Sequence, residues 1–246
     1  MARVIAIVPL RMDSRRLPSK HLRPLAGRPL IETLVARLGQ ARRLDRIVLA
    51  TTERACDDGL AEAAAGLGLP CHRGAVDDVL GRCLAAARAE AADLVVKANG
   101  DSPLLSAEVI DSALDQLVLQ DADCVTGKNG YTGLPVGLGA EVLTAEALAR
   151  LDREVTAAEH RESITGAVFQ EDSGFAWSPA ITPLEWRAPE LDLCVDTGED
   201  LARLEATLAL LPPRLAADWP VPEILAAARA AMTDAAAEGR AREAYA

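Results

Sequence analysis

Apolar positions fall into two alternating rhythms along the first half of the chain. Arg3–Pro9 (RVIAIVP), Arg46–Thr51 (RIVLAT) and Asp93–Ala98 (DLVVKA) are short, nearly continuous apolar runs. Such runs read as strands buried on both faces. Shorter strands are predicted near Pro70–Arg73 and at Asp123–Thr126. Between them, amphipathic windows predict helices over about Pro29–Arg43, Arg54–Leu67, Val76–Glu90 and Ser106–Leu119. This alternation predicts an α/β chain, with a mostly parallel central sheet flanked by helices. After Thr126 the rhythm changes. Positions 127–139 hold five glycines and a proline, which predicts a loop or an irregular hairpin. A strand at Ala140–Leu143, helices at about Thr144–Asp152 and Ala157–Gln170, and a strand at Leu191–Val195 are expected next. A helix from about Glu199 to Leu211 and an alanine-rich helix over Pro220–Ala246 complete the pattern. No internal repeat or low-complexity linker divides it. The reading is one domain over 1–246, with a C-terminal excursion that packs on the domain or frames a partner subunit.

Composition narrows the function. With 246 residues and 50% hydrophobic content the chain can bury a sizeable core. A net charge of −11 argues against general nucleic-acid binding, which needs a basic face. Aromatics at 3% leave no stacking platform for single strands. No apolar run approaches the roughly 20 residues that span a bilayer, and no signal peptide is visible, so a cytoplasmic location is expected. The five cysteines (Cys56, Cys71, Cys83, Cys124 and Cys194) are scattered without CxxC spacing and read as reduced. Only three of the 26 basic residues are lysines: Lys20, Lys97 and Lys128. Where arginine is the default surface cation, a lysine marks a position wanting a compact point charge.

Ligands of open α/β sheets bind at the carboxyl ends of the strands. Arg11–Lys20, Asn99–Asp101, Lys128–Asn129 and Asp196 all follow predicted strands, so they are expected to converge on one edge. The first cluster carries four cations (Arg11, Arg15, Arg16 and Lys20) in ten residues between a strand and a helix. A triphosphate requires such a turn, with backbone amides and fixed cations around its charge. The bland alternative is a solvated basic loop. Neither GxGxxG nor GxxxxGK[ST] follows the first strand, which disfavours a dehydrogenase and a P-loop kinase.

The segment Pro9-Leu-Arg-Met-Asp-Ser-Arg-Arg-Leu-Pro-Ser-Lys20, followed by Arg23-Pro-Leu-Ala-Gly-Arg-Pro-Leu30, resembles the opening motif of the acylneuraminate and 3-deoxy-manno-octulosonate cytidylyltransferases. It is especially similar to their SpsF-like branch, of spore-coat polysaccharide biosynthesis. The resemblance continues through Ala50–Thr52, Arg73-Gly74, Asp77–Arg82, Gly100–Leu104, Pro135–Gly137 with Glu141, Glu159-His160 and Val195–Asp200, in the family's order. It implies a Rossmann-like nucleotidyltransferase fold, a homodimer, CTP as substrate and Mg²⁺. Leu10 and Ser19 stand where the family commonly has alanine and glycine. Lys97, Asn99 and Val136 replace its usual arginine, threonine and aspartate, and these changes bear on the acceptor.

Asp101 and Asp196 are the metal candidates, since Mg²⁺ takes one or two carboxylates together with phosphate oxygens and water. Their alternatives are local: Asp196 as the cap of the following helix, Asp101 as the start of a turn. Asp121-Ala-Asp123 is a DxD of the kind glycosyltransferases use, but it precedes a strand and so lies on the amino edge. Arg11, Arg15, Lys20 and Asp101 are taken as catalytic. Leu10, Ser14, Thr51, Arg73, Arg82 and Gly100 are assigned to the nucleotide. Lys97, Asn99, Lys128, Asn129, Glu141 and His160 are assigned to the acceptor, with region 127–190 as the acceptor-side and dimerisation insertion. His21 and His72 read as structural. The function this implies is transfer of CMP to a small acidic acceptor, either a small phosphonate such as phosphonoformate or an acidic sugar. A glycosyltransferase of similar fold and a non-catalytic nucleotide-binding regulator are the alternatives.

Overall fold

A run without polar alternation still makes a strand when each face has its own core to enter. In the computed structural model, which describes residues 2–213 and 216–244, strand β1 (Val4–Pro9) does this. Val4, Ala6 and Val8 enter one apolar layer, while Ile5 and Ile7 enter the other. The chain then makes a small hairpin, β2 (Pro24–Leu25) and β3 (Arg28–Pro29), and helix α1 (Leu30–Leu38). Strand β4 (Arg46–Thr52), α2 (Asp58–Gly66), β5 (Cys71–Gly74), α3 (Val79–Ala89), β6 (Leu94–Lys97) and α4 (Ala107–Gln120) follow. Next come β7 (Cys124–Thr126), α5 (Asn129–Thr132), β8 (Glu141–Thr144), α6 (Ala145–Glu154) and α7 (Ala158–Ser163). Strand β9 (Trp177–Pro179), α8 (Gly198–Ala209) and α9 (Val221–Ala244) complete the order. The expected tail helix thus runs to Ala244, and residues 245–246 lie outside the described residues.

The seven-stranded sheet has the order β5-β4-β1-β6-β8-β7-β9. All neighbours are parallel except β8, which runs antiparallel to β6 and β7. Helices α1, α4 and α8 cover one face and α3 with α6 the other. Full burial of a large aliphatic side chain stabilises by about 1.5–3 kcal/mol, against at most about 1 kcal/mol for an exposed ion pair. The two apolar layers therefore hold the fold, and the surface ion pairs do not. No described helix is long and apolar enough to cross a membrane.

The structure departs from these expectations in five places. Leu191–Val195 is extended but joins no ladder: it crosses the carboxyl edge, bridging Val136 at Asp192 and donating from Val195 N to Asp101 O at 2.9 Å. The helix expected over Ala157–Gln170 stops at Ser163, because Ile164 takes φ 63°, ψ −64°, and a short 3₁₀ turn, Gly166–Phe169, follows. Thr165 explains the break, since its hydroxyl is committed to Glu141 across the molecule. Strand β9 gave no signal because it is three residues long, too short to show a two-residue period. Helix α1 ends five residues before Arg43, and the glycine-rich stretch contains the short α5.

That stretch closes where two glycine backbones touch. A Cβ on Gly139 would run into the carbonyl of Gly127, and one on Gly127 would lie 2.8 Å from Gly139 Cα. Gly139→Ala is expected to destabilise the protein by about 1–3 kcal/mol, the usual range for overpacking. Urea unfolding of the variant against the parent chain measures it, and an unchanged midpoint contradicts the close-contact reading.

Candidate active site

The carboxyl ends of β1 and β6 open onto a cleft of about 530 Å³. Its lower wall is the loop after β1, whose shape comes from its backbone. Leu10 N donates to Ala50 O on β4, and Ser19 N closes the loop onto Met12 O at 3.0 Å. Ser19 sits at φ 58°, in the left-handed region that glycine adopts most readily. Asp57, fully buried, accepts from Met12 N at 2.6 Å and from the Thr52 hydroxyl, so the loop is tied to the end of β4. Asp13 is held by Arg54 at 2.6 Å, and that guanidinium keeps its carboxyl below the ordinary range.

Lys20 occupies the centre. Its ammonium is buried and lies 3.3 Å from Asp101 and 2.9 Å from Asp196, with Arg16 a further 2.9 Å from Asp196. The helix-capping alternative for Asp196 is answered by its neighbours: Thr197 and Asp200 form a capping box at the start of α8. The Asp196 carboxylate is thereby left for the cleft. One oxygen of Asp101 accepts from Ser102 at 3.1 Å and the other faces Lys20. Asp101 and Asp196 are each about one-third exposed, and their donor set is oxygen only. They fit an ion that takes two carboxylates and completes its shell with phosphate and water. Among the described residues no cluster of three or more His, Cys, Asp or Glu side chains offers a closed metal cage.

Six cations line the cleft (Arg11, Arg15, Arg16, Lys20, Arg82 and Lys97) against four carboxylates (Asp13, Asp101, Asp196 and Glu162). The lining is thus net positive by two charges in a chain of net charge −11. Arg82 is buried, gives Nη1 to the carbonyls of Ala75 and Val76, and leaves its Nε without a partner. At the far end, buried Glu141 accepts from Lys97 at 3.0 Å, Lys128 at 2.9 Å and Thr165 at 3.0 Å. Burial alone pushes its carboxyl up, but the two ammoniums outweigh that and hold it below the ordinary range.

Of the residues singled out in sequence, Leu10, Arg11, Ser14, Arg15, Lys20, Arg82, Lys97, Asn99, Gly100, Asp101 and Asp196 line this cleft. Lys128 and Glu141 stand behind Lys97. Thr51 is fully buried away from it, and Arg73 is spent on Thr52 O, Arg54 O and Asp58. Asn129 is not in the lining either, because its amide serves the carbonyls of Leu134 and Pro189. His160 also lies outside; Glu162 and Ile164, two and four residues on, take the wall instead. Their only sequence signal was closeness to the Glu159-His160 pair. The DxD is remote: Asp121 ends α4, and Asp123 accepts from Ala176 N beside the start of β7.

His21, read as structural, also lines the cleft. Its ring is buried against Gly100 O at 3.1 Å, and burial first, then the Lys20 charge, pushes its pKa down from 6.5 to about 4. The folded state thus keeps a neutral imidazole where the unfolded chain protonates below about pH 6.5. The sign follows: unfolding takes up a proton in that window, so this contribution to stability is present above pH 6.5 and is lost as pH falls towards 4. Urea unfolding is expected to show a loss of about 2 kcal/mol between pH 7 and pH 4.5 that His21→Asn lacks. Equal slopes in the two proteins contradict the buried neutral imidazole.

A sequence profile of the cytidylyltransferases matches residues 5–211. The uncharacterised protein MJ1063 of Methanocaldococcus jannaschii is 31% identical over 198 residues, 80% of each chain. The spore coat polysaccharide biosynthesis protein SpsF of Bacillus subtilis is 28% identical over 208 residues, 82% of this chain and 85% of its own. A cytidylyltransferase structure from Leptospira borgpetersenii superposes with a TM-score of 0.86 at 24% identity, covering 95% of this chain and 96% of its own. The mostly parallel sheet and its helical layers are accordingly a Rossmann-like nucleotidyltransferase fold, and the chain belongs to the cytidylyltransferase family.

Proposed function

We propose that this cytidylyltransferase transfers CMP from CTP to a small acidic acceptor, with Mg²⁺ at Asp101 and Asp196. The observation that carries the reading is the pair of carboxylates joined by one buried ammonium, Asp101–Lys20–Asp196, in a cation-lined cleft. An acceptor oxygen attacks the α-phosphorus, the bond to the β-phosphate oxygen breaks, and pyrophosphate leaves. Such transfers rest on positioning and charge rather than on a covalent protein intermediate. Arg11, Arg15 and Lys20 hold the β- and γ-phosphates. The bound Mg²⁺ would neutralise phosphate charge. Leu10, Ser14 and Gly100 shape the nucleotide side, and the unpartnered Nε of Arg82 supports a contact to base or ribose.

Lys97 and Asn99 form the acceptor end, with Lys128 and Glu141 behind them. A sugar hydroxyl needs a proton acceptor or a metal to ionise it, whereas a phosphonate oxygen is already ionised near neutral pH. Glu141 is a poor base here, because two ammoniums stabilise its charged form. That supports a compact, pre-ionised acid such as phosphonoformate over an acidic sugar.

Pyrophosphate release is measured from each of the four nucleoside triphosphates with Mg²⁺, against small phosphonates and acidic sugars. Release from CTP alone, dependent on a phosphonate, is expected; dependence on a sugar acid reassigns the acceptor. Tight CTP binding without release across the panel points to a regulator, and no CTP binding overturns the reading. Lys20→Ala is expected to lower kcat more than tenfold, above about 1.4 kcal/mol of barrier. A smaller effect removes Lys20 from the phosphate role.

A further inference from the structure

Two cleft carboxylates, Asp13 and Glu162, take no part in the proposed transfer, and both pair with Arg11. Glu162, at the end of α7, accepts from Arg11 Nη2 at 3.3 Å with a side chain 65% exposed. The other carboxylate on Arg11, Asp13 at 3.3 Å, is separately tied to Arg54. Arg11 is the only cation that an ion pair gives to Glu162 among the described residues, so Glu162 is the exchangeable partner.

Its placement is built into the fold. The preceding Arg161 binds both oxygens of Asp78 at the start of α3, at 2.9 and 2.8 Å, and Asp152 of α6 at 2.7 Å. The same guanidinium also reaches the carbonyls of Asp152 and Val155. On the other side, Ile164 is a buried β-branched residue at φ 63°, ψ −64°, closed by Thr165 N onto Ser163 O at 2.8 Å. That is a γ-turn, a conformation a β-branched residue adopts only under constraint. Both ends of the segment are pinned, and Glu162 is presented between them at the cleft wall.

We propose that Glu162 is a specificity-determining residue, an anionic placeholder on Arg11 that the terminal phosphates of the nucleotide displace. It rests on the reading that Arg11 faces the triphosphate. A nucleotide with β- and γ-phosphates exchanges one anion for another at Arg11. A monophosphate does not reach Arg11 and leaves the pair intact. Glu162 therefore supplements Asp13 on Arg11 until a nucleotide binds and sets a threshold of charge that an incoming nucleotide must meet.

The test is titration calorimetry of CTP and of CMP, each with Mg²⁺, on the parent chain, Glu162→Gln, Arg11→Ala and the double variant. Glu162→Gln is expected to tighten CTP by about threefold to fivefold, the scale of an exposed ion pair, and to leave CMP unchanged. The gain should vanish in the Arg11→Ala background, which makes it a property of the pair. Weaker or unchanged CTP binding by Glu162→Gln, while Arg11→Ala weakens CTP, overturns the placeholder alone. Unchanged CTP binding by Arg11→Ala overturns the phosphate role of Arg11 and the placeholder together. Equal tightening of CTP and CMP also counts against it, since Glu162 would then act as a general repulsive charge.

Discussion

The site depends on one ammonium. Lys20 lies 81 positions from Asp101 and 176 from Asp196 along the chain, yet a single buried Nζ binds both. Three crossings of the carboxyl edge are thereby held together: the loop after β1, the loop after β6 and the entry to α8. A buried charge stripped of a partner is costly, so the three segments are energetically coupled through Lys20. Backbone features set Lys20 in place before any ligand arrives. Ser19 in the left-handed region turns the chain, the Met12–Ser19 bond closes the loop, and His21 packs its ring against Gly100.

Charge in this protein is arranged locally. The chain as a whole is acidic by eleven charges, whereas the cleft lining is basic by two. Most of these cations are steadied by an acid or a carbonyl: Lys20 on Asp101 and Asp196, Arg16 on Asp196, Arg11 on Asp13 and Glu162, Lys97 on Glu141, Arg82 on two carbonyls. Cations held this way need little reorganisation when an anionic ligand arrives, which is where preorganised electrostatics gain their advantage. Tight pairing has a cost too, because every anion already present must be outcompeted or accommodated.

The far end of the cleft uses a different device. Glu141 lies on β8, directly across from Lys97 on β6 and Thr126 on β7, and Lys128 folds back onto it from the following loop. The antiparallel β8 makes this possible, since it brings the start of one strand beside the ends of two others. Three of the chain's seven aromatic residues, Tyr131, Phe169 and Trp177, meet beside this cluster in tilted and edge-to-face contacts with ring centroids 5.0–5.2 Å apart. Lys128 lies over Phe169 at 4.6 Å. Two of the three lysines thus share one buried carboxylate, so their combined charge at this end is one, not two.

The amino-acid sequence by itself determined the layered α/β architecture and the basic loop that borders the cleft. Runs such as VIAIVP carry their own instruction, because a two-residue period with apolar groups on both sides demands a core on both sides. Loops that follow such strands gather at one edge by topology, so Arg11, Lys20, Asn99 and Asp101 could be grouped before any coordinates. Tertiary structure alone decided the rest. Whether Asp196 capped a helix or faced the cleft turned on Thr197 and Asp200 taking the cap. Asn129, Arg73 and Thr51 follow or end strands as the lining residues do, yet carbonyl partners or burial remove them. Glu162 replaced His160 at the wall because Thr165 bonds to Glu141 and bends the chain at Ile164. The two-residue period of a strand and the helical period are local properties and can be read locally. Which polar group satisfies which depends on partners distant in the chain, and only the folded arrangement brings them within reach.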